Sequence, residues 1–278
     1  MKLGVLLDSF RTPWERSLDA AKALGLDGVQ INVARGELAY DQLKGQRLAD
    51  LQAALRARDL RVSALCGDLG TGFGDAVQNP ALIEKSERMI DLAAVMGVGV
   101  VTTHIGVVPS DKAHPRYAVM RDACGSIAAY AGKRGVAFAV ETGPETAKVL
   151  RAFLDDLSEK GMAVNFDPAN FVMVTGDDPV KAVGTLGKYI AHVHAKDGKR
   201  LYYKDPEVVY GIVHEDVVTD ASFLETPLGE GDVDFDGWLK ALRDVGYDGY
   251  LTIEREVGDE PAKDIALAAD FLRARLRV

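Results

Sequence analysis

The sequence predicts a single (β/α)8 barrel, because short apolar runs alternate with longer amphipathic segments eight times along 278 residues. Two further observations agree. Gly25, Gly97, Gly135, Gly161 and Gly246 stand just ahead of strand-like runs, where a preceding helix needs a left-handed cap. The rival architecture, an open doubly wound sheet, lacks its phosphate loops here: no GxGxxG follows the first run and no Walker loop occurs.

The first run, Leu3–Leu7, is closed by Asp8. With one lysine ahead of it and no small-residue cleavage site after it, it reads as a strand rather than a signal peptide. Gly28–Val33, Val62–Leu65, Val98–His104, Val136–Glu141, Ala163–Phe166, Ile190–His194 and Tyr250–Glu254 follow. Their nearly continuous Val- and Ile-rich hydrophobicity is that of parallel strands covered on both faces. Between them, Asn79-Pro80 opens a helix whose apolar stripe is Leu82, Ser86, Met89, Ile90 and Ala93. Ile265, Ala269, Leu272 and Leu276 form a second such stripe. The unit from Ile190 to Tyr250 is roughly twice as long as the one before it. Its excess, residues 199–231, carries Tyr202, Tyr203, Tyr210 and His214 and follows a strand, on the rim where barrels keep their sites. No linker rich in Pro, Gly or Ser divides the chain, so residues 1–278 read as one domain.

Composition narrows the function classes. The chain has 33 Lys and Arg against 42 Asp and Glu, a net charge of −9, and 47% apolar residues. That acidic balance without basic runs argues against a nucleic-acid partner, which needs cations to displace phosphate counterions. Leu92–Val101, the most apolar long stretch, is about half a bilayer span and contains two glycines, so no membrane association is expected. Two cysteines far apart, Cys66 and Cys124, imply no disulfide framework and fit a reducing cytoplasm.

In a barrel the reacting groups project from the C-terminal ends of strands. The fifth run ends in AVETG with Glu141, and the sixth in NFDPAN with Asp167 and Asn170. The seventh ends in HVHAKD with His192, His194, Lys196 and Asp197, and the eighth in TIERE with Glu254 and Glu256. Three carboxylates converging without a cation raise one another's pKa, and a divalent metal removes that repulsion. Glu141, Asp167, His194 and Glu254 are therefore the expected ligands. A carboxylate-rich set with one imidazole suits Mn2+, Mg2+ or Co2+ better than structural Zn2+, although Zn2+ can bind such a set. Open positions would take a carbonyl and its adjacent hydroxyl, acidifying the C–H between them. Glu141 and Glu254, three strands apart, are the expected acid and base. Proton return to the opposite face is epimerisation, and return to the neighbouring carbon is isomerisation.

The residues ET after the fifth run, FDPAN, HVHAKD, LGEGDVDFDGW (Leu228–Trp238) and GYLTIERE are similar to those of the xylose-isomerase-like sugar isomerases and epimerases. That group includes ketose 3-epimerases and inosose dehydratases, and the resemblance covers nearly the whole chain. It implies one divalent metal, usually Mn2+, on Glu141, Asp167, His194 and Glu254, with the two glutamates doubling as acid and base. Apurinic endonucleases share the barrel but need three zinc ions and more histidines than the Cys66-Gly67 and FLETP segments offer. Ketose 3-epimerases tend to have histidine where Asn170 stands and GExxR where Lys196-Asp197 begins. The Lys-Asp pair looks more like the inosose-dehydratase side.

Substrate contacts are expected from His104, Asn170, Lys196, His192 and Glu256, with bland readings beside several of them. His192 lies one layer deeper than His194 and is equally a packed histidine. His104 ends TTHIG as a donor or proton shuttle. Lys196 serves a developing oxyanion or a substrate anion, or pairs with Asp197. His114 is expected in solvent, and His214 reaches the pocket only if its loop folds inward. Trp14 and Phe10 wall a sugar ring or pack the first helix, Trp238 is core, and Cys66 is a small buried hydrophobe. The expected activity is a metal-dependent isomerase or epimerase acting on a ketose or related polyhydroxy carbonyl compound through a metal-stabilised enediolate. The alternatives are a lyase or dehydratase acting on an inosose or 3-keto-glycoside, and a non-catalytic barrel subunit. The partner is a small sugar or cyclitol, with homo-oligomerisation left open.

Overall fold

The computed structural model describes residues 1–214 and 220–277. Eight parallel strands close into a barrel: β1 (Lys2–Leu6), β2 (Gly28–Asn32), β3 (Arg61–Cys66), β4 (Val100–Thr103), β5 (Ala137–Glu141), β6 (Met162–Phe166), β7 (Ile190–Ala195) and β10 (Tyr250–Ile253). Around the ring β5, β6, β7 and β10 are consecutive neighbours, which sets Glu141 and Glu254 three steps apart as the sequence predicted. Observed strand ends differ from the apolar runs by a residue or two, since hydrophobicity persists past the last ladder hydrogen bond.

Helices cover the outside: α1 (Trp14–Ala23), α2 (Gln46–Ala57), α3 (Asn79–Met96), α4 (Pro115–Arg134), α5 (Ala147–Asp155), the single turn α6 (Pro168–Asn170) and α7 (Pro179–Leu186). The predicted stripe of α3 is buried, and Gly97 and Gly135 cap α3 and α4 with positive φ. Gly161 is a correction: it caps no helix. At φ 136° a Cβ there would lie 2.2 Å from the Ala128 carbonyl oxygen, so glycine lets β6 start against α4.

The segment after β7 forms a two-stranded antiparallel ribbon, β8 (Asp197–Arg200) with β9 (Phe223–Thr226), and a short helix α8 (Pro206–Val209) between them. Residues 215–219 of the predicted insertion lie outside the described residues. The chain returns through α9 (Phe235–Asp244) and closes with α10 (Pro261–Leu276). Trp238 is fully buried against Phe235 and Phe166, the core role expected of it, and Phe10 is likewise buried. No described helix is long and apolar enough to cross a membrane.

Candidate active site

β5, β6, β7 and β10 bring Glu141, Asp167, His194 and Glu254 together, with one ligand atom from each within 4.8 Å of the others and all four side chains buried. The ladder explains the convergence. Glu141 pairs in register with Asn165, Asn165 with His192, and His194 with Thr252, so inward positions on neighbouring strands share a height. Asp167 and Glu254 each stand one residue past a strand end and turn into the same point.

His194 is held from behind. Its Nε2 lies 2.8 Å from Gln30 Oε1, and the Gln30 amide donates in turn to Thr102 Oγ1 at 2.8 Å. With Nε2–H donated to Gln30, Nδ1 is the free nitrogen. It faces Glu141 Oε1 at 3.0 Å, Glu254 Oε2 at 3.2 Å and Asp167 Oδ2 at 4.0 Å. Burial opposes a charge on this imidazole, yet Glu141 and Glu254 hold its pKa well above the ordinary value. Burial and the neighbouring carboxylates push Asp167 up to about 8, against the pull of Lys196 and His194.

The donor chemistry fits a divalent cation. Asp167 Oδ1 accepts from the backbone N–H groups of Ala169 and Asn170, while Oδ2, fully buried, has no hydrogen-bond partner. A buried carboxylate oxygen left unpaired costs about 1–3 kcal/mol or more, and a cation ligated by all four groups would satisfy it.

Behind the quartet lies a supporting layer. Asn165 Nδ2 donates to Glu141 Oε2 at 2.5 Å, and its Oδ1 lies 2.8 Å from His192 Nδ1. His192 Nε2 lies 2.9 Å from Thr252 Oγ1. Burial, with His194 beside it, drives the His192 pKa well below the ordinary value, so the ring is neutral, with Nδ1–H donating and Nε2 accepting. Asn170 Nδ2 donates to the other Glu141 oxygen at 3.3 Å. Lys196 Nζ donates to Glu254 Oε2 at 3.1 Å and to Glu256, and lies 3.8 Å from Glu225 Oε2.

The cavity in front has a volume of about 340 Å³ and is lined by Asn32, Asp68, His104, Glu141, His194, Glu254 and Glu256 among others. Of the expected substrate contacts, His104 and Glu256 are on its wall. Asn170, His192 and Lys196 are buried beside the quartet, where Asn170 bonds Glu141, His192 bonds Asn165 and Lys196 bonds Glu254. The alternative reading of Lys196, a salt bridge to Asp197, is not what the structure holds, since Lys196 pairs with Glu254 and Glu256. Asp197 instead accepts four backbone N–H bonds, from Gly198, Gly229, Gly231 and Val233, which is why LGEGDV wraps so closely around it. Cys66 is half-buried on the cavity wall, its thiol pushed up to about 12 chiefly by burial, so it is neutral there.

Sequence reasoning missed four participants. Gln30 and Asn165 sit at inward strand positions, and Asn165 was visible as the inward residue two before Asp167. Asp68 pairs with His104, Oδ2 to Nδ1 at 3.4 Å, and this pair, with Glu141 and Glu254 nearby, raises the His104 pKa to about 9 despite burial. Glu225, from the insertion, binds Arg255 Nη1 at 2.7 Å and fixes the loop after β10. His114 caps α4 at the exposed surface and His214 is exposed, whereas Tyr210 turns toward His104 with ring centroids 6.1 Å apart. Trp14 opens α1, partly buried against the core and on the wall of a separate cavity with Thr12 and Arg35.

The family model for the xylose isomerase-like TIM barrel matches residues 18–275. The chain belongs to that family. Among curated proteins none matches the sequence. Within the xylose isomerase-like barrels, a xylose isomerase domain protein from Planctomyces limnophilus is 24% identical with a TM-score of 0.78, covering 94% of this chain and 92% of that one. A probable 3-DHS dehydratase from Bacillus anthracis is 18% identical, with a TM-score of 0.75 and coverage of 98% and 99%. The 3-keto-D-glucoside 4-epimerase from E. coli is 18% identical, with a TM-score of 0.73 and coverage of 99% of each chain. At these identities the likeness is one of fold.

Proposed function

We propose that this barrel is a metal-dependent isomerase or epimerase of a ketose or related polyhydroxy carbonyl compound. The observation that carries the reading is the buried quartet with its unpartnered Asp167 oxygen. Glu141, Asp167, His194 and Glu254 hold the cation, Mn2+ in preference to Mg2+, Co2+ or Zn2+, on the hardness of three carboxylates. When bound, the cation supplies Lewis-acid polarisation of the substrate carbonyl.

The chain's own residues then divide the proton work. Glu254 directs Oε2 toward His194 and Lys196. Burial raises its pKa, but His194 and the Lys196 ammonium outweigh burial and hold it well below the usual carboxylate range, so it stays ionised. It takes the C–H proton next to the carbonyl. Glu141, fixed by Asn165 and Asn170 on the other side of the quartet, returns a proton to the opposite face. Glu256 and His104, on the cavity wall, hold substrate hydroxyls.

The dehydratase or lyase alternative shares the first proton transfer. One observation favours it: the Asp68–His104 pair stands on the wall lined jointly with the quartet and has a proton to give a departing oxygen. The test is a panel of ketoses, inososes and 3-keto-glycosides with Mn2+ in D2O, followed by NMR. Deuterium entering the carbon next to the carbonyl, with Glu254→Gln slowing it about 10²–10⁴-fold, supports the reading. No exchange into any carbonyl substrate by the Mn2+-loaded protein would leave only the non-catalytic barrel.

A further inference from the structure

Lys196 brings a positive charge to the quartet itself. It stands one residue past β7, buried, and its ammonium meets four carboxylates. Two belong to the quartet: Nζ donates to Glu254 Oε2 at 3.1 Å and lies 4.0 Å from Asp167 Oδ2. The other two are Glu256 and Glu225.

Neither of those outer carboxylates cancels the charge. Glu225 is already engaged, because its Oε1 accepts from Arg255 Nη1 at 2.7 Å and from the Glu256 N–H at 3.0 Å. Its Oε2 stands 3.8 Å from Nζ, beyond a hydrogen bond. The Glu256 side chain is 61% exposed, so water screens it. Glu254 and Asp167 are buried, and charges meeting there are screened far less.

The same contacts leave the quartet's oxygens open to a cation. A carboxylate oxygen has two lone pairs, so Glu254 Oε2, which also faces His194 Nδ1 at 3.2 Å, can accept from Lys196 and still ligate. Asp167 Oδ2 at 4.0 Å feels the ammonium without bonding to it and keeps its unpaired position. Lys196 therefore supplies charge and takes no ligand place. With His194 neutral, as a ligand must be, three carboxylates and one ammonium leave two negative charges. That balances a divalent cation. Without Lys196 the three carboxylates would stand alone, and Coulomb attraction would favour a trivalent cation.

We infer that Lys196 sets the charge of the cation the quartet accepts: its ammonium against Glu254 and Asp167 matches the site to divalent ions and disfavours trivalent ones. This rests on the reading above that the quartet holds a cation.

The test measures Kd for Mn2+ and for Tb3+ by chelator competition, without substrate, in the native protein and in variants. The difference in size between the two ions is common to all of them and cancels in the ratio. Removing one unit charge this close, at the effective dielectric of a protein site, should shift the Kd ratio of Lys196→Met toward Tb3+ by about 10–100-fold. Lys196→Gln can still donate to Glu254, so the same shift there assigns the effect to charge rather than to a lost hydrogen bond. It also stands in should Lys196→Met misfold. Gln30→Leu, which loosens His194 without changing charge, should weaken both ions and leave the ratio as it was. A ratio unchanged in the Lys196 variants while Mn2+ still binds overturns the inference and leaves the metal reading standing, and an equal shift in Gln30→Leu overturns it too. A native protein that binds neither ion overturns the metal reading and this inference with it.

Discussion

Glu145 is a carboxyl whose cost can be read from its surroundings. It follows Glu141 by four residues on the loop after β5, and it is buried. One oxygen accepts from the Val108 N–H at 3.1 Å, and the other has no partner. Burial, opposed only by that hydrogen bond and by His104, pushes its pKa up to about 8 from 4.5. Between those two values the native state holds a proton that the unfolded chain has released, so stability must fall as pH rises through this window. At about 1.4 kcal/mol per pKa unit, the loss approaches roughly 5 kcal/mol, and relaxation or water entry reduces it to about 2–5. Glu145→Gln keeps an acceptor for Val108 and cannot ionise. Urea unfolding of both proteins at pH 5 and pH 8 should give similar stabilities at the lower pH, and a variant about 2–5 kcal/mol more stable at the higher. Every other titrating group is common to both proteins and cancels. A variant-minus-parent difference that does not change with pH would refute the assignment of a buried, protonated carboxyl.

Three shorter predictions concern the quartet and its frame. Mn2+ at a hundredfold excess over its Kd should stabilise the native protein by about 2.7 kcal/mol, read as a rise in Tm that Asp167→Asn removes. Gln30→Leu, which frees the His194 tautomer, should weaken Mn2+ binding about 10–100-fold in a chelator competition while the circular dichroism spectrum is unchanged. Gly231→Ala places a methyl 2.0 Å from Asp197 Oδ1, so chemical denaturation should show about 1–3 kcal/mol of lost stability.

The barrel was legible because its signals are local and repeated: continuous apolar strands, Asn79-Pro80 opening α3, glycine at the ends of α3 and α4. The convergence of Glu141, Asp167, His194 and Glu254 was legible because strand ends of a barrel share one rim, so a carboxylate or imidazole at the end of a run has little choice of address. What sequence could not supply was depth. Lys196 and Asn170 follow the quartet closely in sequence and read as substrate contacts, but their hydrogen bonds to Glu254 and Glu141 are not readable from chain position. Asp68 and Glu225 come from loops whose paths are set by packing, not by periodicity. Asp197 shows the same limit, because the four N–H groups it gathers come largely from residues more than thirty positions away.

The supporting layer explains why four ligands can meet within 4.8 Å. A side chain at a strand end has two or more free torsions, and burying it there without a partner would leave several rotamers of similar energy. Here each member of the quartet is pinned by a named partner: His194 by Gln30 from β2 across the barrel, Glu141 by Asn165 on the adjacent strand, Asp167 by its own turn, Glu254 by Lys196. Asn165 is itself oriented by a neutral His192, which Thr252 orients in turn. Register is therefore the quantity that matters. Slipping β7 by one residue against β6 would turn both His192 and His194 outward together and dismantle the site and its frame in one move. The inward parity of HVH in β7 thus sets both layers at once, one histidine for the ligand set and one for its support. A substitution at His192 should accordingly act on the quartet through Asn165, although it never reaches the cavity.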